Sequence, residues 1–138
     1  MSYSHRLVAC DFLSHPTIYV SLKAFTKEAF QRMEQNKVRT LTVTDETFCI
    51  VGIISKSQIE KYLLKNKIKK NSERYEKLRV CDVLEQKDHF VTAYPGTDLQ
   101  EIKRILIATS SDYLPIAKNP WSKKLLGFVL LDTVLNLA

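Results

Sequence analysis

Ser55 and Lys56 are the residues whose types and spacing best suit chemistry. They follow the apolar run Val51-Gly52-Ile53-Ile54 and open a helical pattern that begins near Lys56. A glycine inside a strand gives up packing and marks a close approach by a ligand or a neighbouring segment. The first N–H groups of a helix lack intrahelical partners and lie at the positive end of its dipole, which suits a phosphate. The Ser55 hydroxyl donates to such an oxygen, and Lys56 adds a mobile cation. Ser55 reads equally well as an ordinary N-cap. The two readings are compatible, because a capping serine is free to meet a phosphate when one arrives.

Other chemistries find no support. The only glycines are Gly52, Gly96 and Gly127, too few and too far apart for a P-loop or a Rossmann fingerprint. His5, His15 and His89 are scattered, with no HExxH and no Cys–His metal spacing. There is no GxSxG elbow, and no carboxylate stands where it would form a tuned acid–base pair. No catalytic residue, metal ligand or resident cofactor is expected, and the chain reads as a non-enzyme. Trp121, beside Pro120, is expected to anchor a loop. Cys10, Cys49 and Cys81 are odd in number and lack a CxxC pair, which predicts buried free thiols in a reducing, cytoplasmic setting. No apolar run approaches the roughly 18 residues of a membrane span.

The net charge of +6 is local. Residues 56–79 hold nine Lys or Arg against Glu60, Glu73 and Glu76, so the remaining chain is balanced. Such a run reads as a solvated helix face and connector, or as a field for an anionic ligand, an acidic partner or nucleic acid. Tyr62 and Tyr75 alone make a poor stacking platform, so nucleic acid is the weaker of these.

The elements that must position Ser55 occur twice. Leu7-Val8-Ala9-Cys10-Asp11-Phe12-Leu13 aligns with Leu78-Arg79-Val80-Cys81-Asp82-Val83-Leu84, four of seven residues being identical. Ile18-Tyr19-Val20 aligns with Val91-Thr92-Ala93, Leu41-Thr42-Val43 with Leu114-Pro115-Ile116, and Val51-Gly52-Ile53-Ile54 with Leu126-Gly127-Phe128-Val129. Short insertions at Gln86–His89 and Asn119–Lys124 account for the drift in offset. Each half predicts a strand, a helix, a two-stranded hairpin and a second helix. The first helices are expected at 24–36, with Phe25, Ala29 and Met33 on one face, and at 97–109, with Leu99, Ile102 and Leu106. Thr97 and Gln100 have capping-box spacing. Residues 40–44 alternate like a strand with one buried face, and Asp45-Glu46-Thr47 turns the chain back. A unit of about 55 residues has little core of its own, so two units are expected to share one.

These residues resemble the CBS-domain family in its paired form, the Bateman module. Leu41-Thr42-Val43-Thr44-Asp45 and Leu114-Pro115-Ile116 are similar to the family's Leu-Pro-Val-Val-Asp strand. Val51-Gly52-Ile53-Ile54-Ser55 is similar to its Val-Gly-hydrophobic-hydrophobic-Ser/Thr signature, and Asp11 and Asp82 to its Asp-Val-Met entry segment. The resemblance implies a mixed α+β fold of two tandem β-α-β-β-α units: 1–68, a basic linker 69–77, and 78–138.

It also implies a regulatory module that binds an adenine nucleotide (AMP, ADP or ATP), dimerises and signals to a protein partner. The implied nucleotide-binding residues are Thr17, Ile18 and Val20 on the first strand, Arg39, Thr42, Ser55, Lys56, Gln58 and Thr133. Gln58 stands where the family carries an Asp for the ribose. In the second half Leu130 replaces the Ser/Thr and Thr133 the Asp, so the Ser55 site is expected to be the stronger. Alternative readings keep the fold with S-adenosylmethionine or a cyclic dinucleotide as guest, or make the chain a ligand-free dimerisation scaffold whose basic segment binds an acidic protein or nucleic acid.

Overall fold

A computed structural model describes residues 7–84 and 90–136. Its elements run as a 3-10 turn (Ala9–Phe12), β1 (Tyr19–Ser21), α1 (Thr26–Asn36), β2 (Thr40–Thr44), β3 (Ile50–Ser55), α2 (Lys56–Lys65), α3 (Glu73–Lys77), α4 (Val80–Val83), α5 (Leu99–Ala108), β4 (Tyr113–Asn119), β5 (Ser122–Leu130) and α6 (Leu131–Leu135). The fold is mixed α+β, as the repeat predicts. His5, His89 and the insertion at Gln86–His89 lie outside the described residues.

By packing, the chain forms two compact units. One is Thr17–Phe90, and the other joins the chain up to Pro16 with the chain from Val91 onward. These units do not follow the repeat boundaries. The short segment that opens each repeat in sequence packs with the strands of the other repeat.

In the unit Thr17–Phe90, β1 pairs parallel with β2 and β2 antiparallel with β3. Because β2 is the central strand, Leu41, Thr42, Val43 and Thr44 are all buried. The alternation in 40–44 suggested one buried face; a neighbour on each edge and covered faces bury both. The β2–β3 turn is held by Asp45, whose Oδ1 accepts from the N–H groups of Thr47 and Cys49, each at 2.9 Å. Opposite Gly52 stands Val43. α1 buries Thr26, Ala29 and Met33. Phe25 does not share that face: it is the N-cap, 41% exposed, with the Arg79 guanidinium 4.5 Å from its ring centroid.

The segment 78–84 closes this unit. Leu78 O accepts from Thr26 N–H, Val80 N–H donates to Ala24 O, and Cys81 N–H donates to Leu22 O. Within the stretch read as a linker, α3 buries Tyr75 and ties Glu76 to Lys27 by an ion pair of 2.5 Å.

The other unit repeats this arrangement bond for bond. Leu7 O accepts from Leu99 N–H, Ala9 N–H donates to Thr97 O, and Cys10 N–H donates to Pro95 O. Asp11 and Asp82, the matched acids of the entry segments, do the same local work: each accepts at 2.9 Å from the N–H three residues earlier, Val8 or Arg79. The repeated motif is thus a turn that closes on its own carboxylate. Ala9, Ile102, Leu106, Ile116 and Val129 form the centre of this unit's core.

Four local expectations change. α5 is capped by Asp98, which accepts from Gln100 N–H, while Thr97 Oγ1 accepts from Tyr94 N–H instead. The strand expected at Phe90–Ala93 is reduced to one parallel bridge, Ala93 to Ile116. Trp121 anchors nothing: it is 90% exposed at the tip of the β4–β5 hairpin, whose turn is held by Asn119 Oδ1. The thiols are free, but Cys10 and Cys81 are exposed and Cys49 is half-buried. Four-residue turns place Cys10 and Cys81 on their outer sides, leaving the apolar neighbours Ala9 and Val80 inside.

Candidate functional site

Strand β3 runs directly into α2, and Ser55 is the joint. Its Oγ accepts from Gln58 N–H at 3.0 Å, and Gln58 Oε1 accepts from Ser55 N–H at 3.0 Å. This is a complete capping box, so the capping reading of Ser55 is realised. Gln58 thereby holds Ser55 in place, and its side-chain oxygen is already engaged.

The N–H of Lys56 donates to Arg39 O at 3.0 Å, which pins the start of β2 against the start of α2. Arg39, Ser55, Lys56, Ser57, Glu60, Lys61 and Leu64 then line a cleft of about 640 Å³. Three cations face one acid across it, so its field favours an anion. With the Lys56 and Gln58 N–H groups occupied, the first turn of α2 leaves the Ser57 N–H and the Ser55 hydroxyl hydrogen for a guest. A phosphate fits that donor set in size, sign and number.

Arg39, Ser55 and Lys56 therefore meet in one cleft, with Gln58 hydrogen-bonded to its rim. Val20 and Thr42 stand on the sheet, whereas Thr17 and Ile18, expected on the first strand, precede β1, and none of the four lines the cleft. Ile18 O accepts from Thr42 N–H at 3.1 Å, and the Thr17 carbonyl and hydroxyl lie within reach of Asn36 Nδ2, at 3.5 and 3.4 Å. Ile18, Val20 and Thr42 are buried, and the Thr42 hydroxyl has no hydrogen-bond partner among the described residues.

Thr133 lies on α6, a helix of five residues whose N-cap, Leu130, makes no side-chain cap bond. Gly127 is accounted for by packing. A Cβ there would lie 2.8 Å from Ser14 O and 2.9 Å from Leu13 Cγ, so a neighbouring segment of the chain makes the close approach.

Ser57, Glu60, Lys61 and Leu64 were not singled out from sequence as site residues. Helical spacing carried the signal, since Ser57, Lys61 and Leu64 stand at i, i+4 and i+7 on one face. Reading the lysines only as part of a charge run obscured that face. Among the described residues no cluster of His, Cys, Asp and Glu could hold a metal, and no helix is long and apolar enough to cross a membrane.

Residues 8–65 match the CBS domain family. No curated protein sequence matches the chain significantly. Among solved structures, CBSX2 in complex with AMP is 22% identical, covers 94% of each chain and superimposes with a TM-score of 0.68. A CBS domain pair/ACT domain protein from Thermotoga maritima is 16% identical over 95% of each chain, with a TM-score of 0.74. A CBS domain pair in complex with 5′-methylthioadenosine and S-adenosyl-L-methionine is 19% identical, with a TM-score of 0.67 over 96% of this chain and 95% of that one. At these identities the likeness speaks for the fold. The match to the CBS domain family covers residues 8–65, and the chain as a whole shares its fold with solved CBS domain pair proteins.

Proposed function

We propose that this chain is a regulatory module that binds an adenine nucleotide and holds its phosphate at the start of α2. The observation that carries the reading is the meeting of Arg39, Ser55 and Lys56 in one cationic cleft. Relatives by fold support the adenosine part of the ligand, being solved with AMP in one case and with two adenosyl compounds in another. The role is binding rather than catalysis, and the module acts on a partner by preferring one arrangement when loaded. A preference of about 1–3 kcal/mol suffices for that. The module is further proposed to work as a homodimer, which native mass spectrometry reads directly together with any copurified nucleotide.

Ser55→Asp separates the cap from the anion site. Aspartate caps a helix as well as serine does, but it sets a negative charge against a phosphate. Isothermal titration of AMP, ADP and ATP should show binding to the unchanged protein. In Ser55→Asp affinity should fall about tenfold or more, a loss of roughly 1.4 kcal/mol or above, with the melting temperature preserved. Equal affinity in the two proteins, or none in either, would overturn the proposal. S-adenosylmethionine is the second guest to titrate, since a relative by fold is solved with it. Its lack of phosphate means that Ser55→Asp should not weaken it.

A further inference from the structure

Helix α2 carries a second hollow beside the first. Glu60, Leu63, Leu64, Ile68 and Lys70 line a space of about 300 Å³, and Glu60 and Leu64 border both. Its floor is apolar: Leu63 and Ile68 are buried, yet Leu64 is left 80% exposed. Its rim is cationic. The ammonium groups of Lys70 and Lys56 lie 4.2 and 5.3 Å from the centroid of the one Phe30 ring. The acids that could neutralise this stretch are engaged elsewhere, Glu73 with Lys77 and Glu76 with Lys27. Glu60 and Lys70 are the charged residues of the lining, and Lys61, Lys65, Lys67 and Lys69 belong to the same stretch of sequence.

One backbone detail points the same way. Lys67 adopts φ 54° at the end of α2, where its N–H donates to Leu64 O and the next N–H, of Ile68, returns to Leu63 O. Glycine is the unstrained residue at such a helix end. A lysine there, like Lys37 at the end of α1, adds a cation beside Leu64 and Ile68 at the expense of local stability.

We propose that this hollow docks an acidic segment of a protein partner, whose one bulky apolar side chain enters between Leu63, Leu64 and Ile68. Its carboxylates then meet the lysines of 61–70. The occupant is chosen by charge complementarity, since the stretch 60–70 that supplies the hollow's lining carries five lysines against Glu60 and repels a basic or second like-charged face. Binding of this kind follows the mode in which an amphipathic segment lays its apolar anchors into a groove. The inference does not rest on the nucleotide reading: Glu60 and Leu64 border both spaces, but Lys67 lines neither, and Lys67→Gly changes the basic stretch alone.

The test is selection of a random peptide library of roughly 12 residues on the immobilised full chain, followed by anisotropy titration of the enriched peptide. Enriched sequences should place Asp or Glu around a Leu, Ile or Phe, and affinity should fall as salt rises. Leu64→Asn, an exposed and charge-neutral change, should weaken the peptide about tenfold without unfolding the protein. Lys67→Gly should raise the melting temperature and weaken the peptide by about threefold. Four results would each overturn the proposal. They are enrichment without an acidic-apolar pattern, a peptide indifferent to Leu64→Asn, tighter retention of single-stranded DNA or phosphatidylserine vesicles than of any peptide, and a dimer that Leu64→Asn converts to monomer while no peptide binds. Because Leu64 also borders the Ser55 cleft, nucleotide titration of the Lys67→Gly protein, whose changed residue lines neither space, reports separately on that cleft.

Discussion

Ser55 caps α2 with its hydroxyl lone pair, and under the proposed function its hydrogen is what meets the guest. Asp45 makes a simpler case at the same scale. Its carboxylate accepts from two backbone N–H groups and from the Thr47 hydroxyl at 2.8 Å. Those bonds, led by the one from Cys49, hold its pKa below the ordinary 3.8. A carboxyl with a depressed folded pKa stabilises the protein above the unfolded value and loses that contribution as pH falls through the folded one. Asp45→Ala should therefore cost about 1 kcal/mol near neutrality and less in acid, as the native turn takes up its proton. Urea denaturation near neutrality and in acid measures the difference, and an equal cost at both would contradict the account.

At the scale of elements, the two glycines of the second repeat are used differently. Gly127 sits where residues 13–15 cross β5, with Ser14 O 2.8 Å from an added Cβ, whereas nothing lies within 4 Å of one at Gly96. Gly127→Ala should destabilise by about 2 kcal/mol or more through overpacking. Gly96→Ala should be neutral or stabilise by up to about 1 kcal/mol by restricting the unfolded chain. Thermal or urea unfolding of the pair checks this directly.

The element order and the start of α2 near Lys56 were legible in the sequence, because periodicity and duplicated motifs report burial and topology. Helix ends were less so. Thr97 has the spacing of a cap, but Asp98 takes the role, and either side chain satisfies the local hydrogen-bonding rule until the backbone chooses. Trp121 misled for a related reason, as nothing in a hairpin loop's sequence says whether it folds back over the sheet. Of the site, Ser55 and Lys56 were readable from a strand-to-helix junction. Lys61 and Leu64 were hidden inside a charge run whose helical phase had to be fixed first.

For the molecule as a whole, the exchange of entry segments is the feature that sequence similarity concealed. Repeats are recognised by resemblance, compact units by packing, and here the two divide the chain at different places. Residues 7–13 contribute Ala9 to a core with Ile102, Leu106 and Val129, and they hydrogen-bond Pro95, Thr97 and Leu99. A chain that starts at Pro16 should therefore lose amide protection across α5 and β5 by about tenfold or more, which hydrogen exchange reads residue by residue. Unchanged protection there would show that the entry segment is decoration.

The most direct measurement is a backbone-amide NMR titration of the full chain with AMP. The account predicts shifts centred on Arg39 and on residues 55–58 and 61, growing to saturation and lost in Ser55→Asp. Saturable shifts confined to residues 131–135, or none at all, would contradict the assignment of the phosphate to the start of α2.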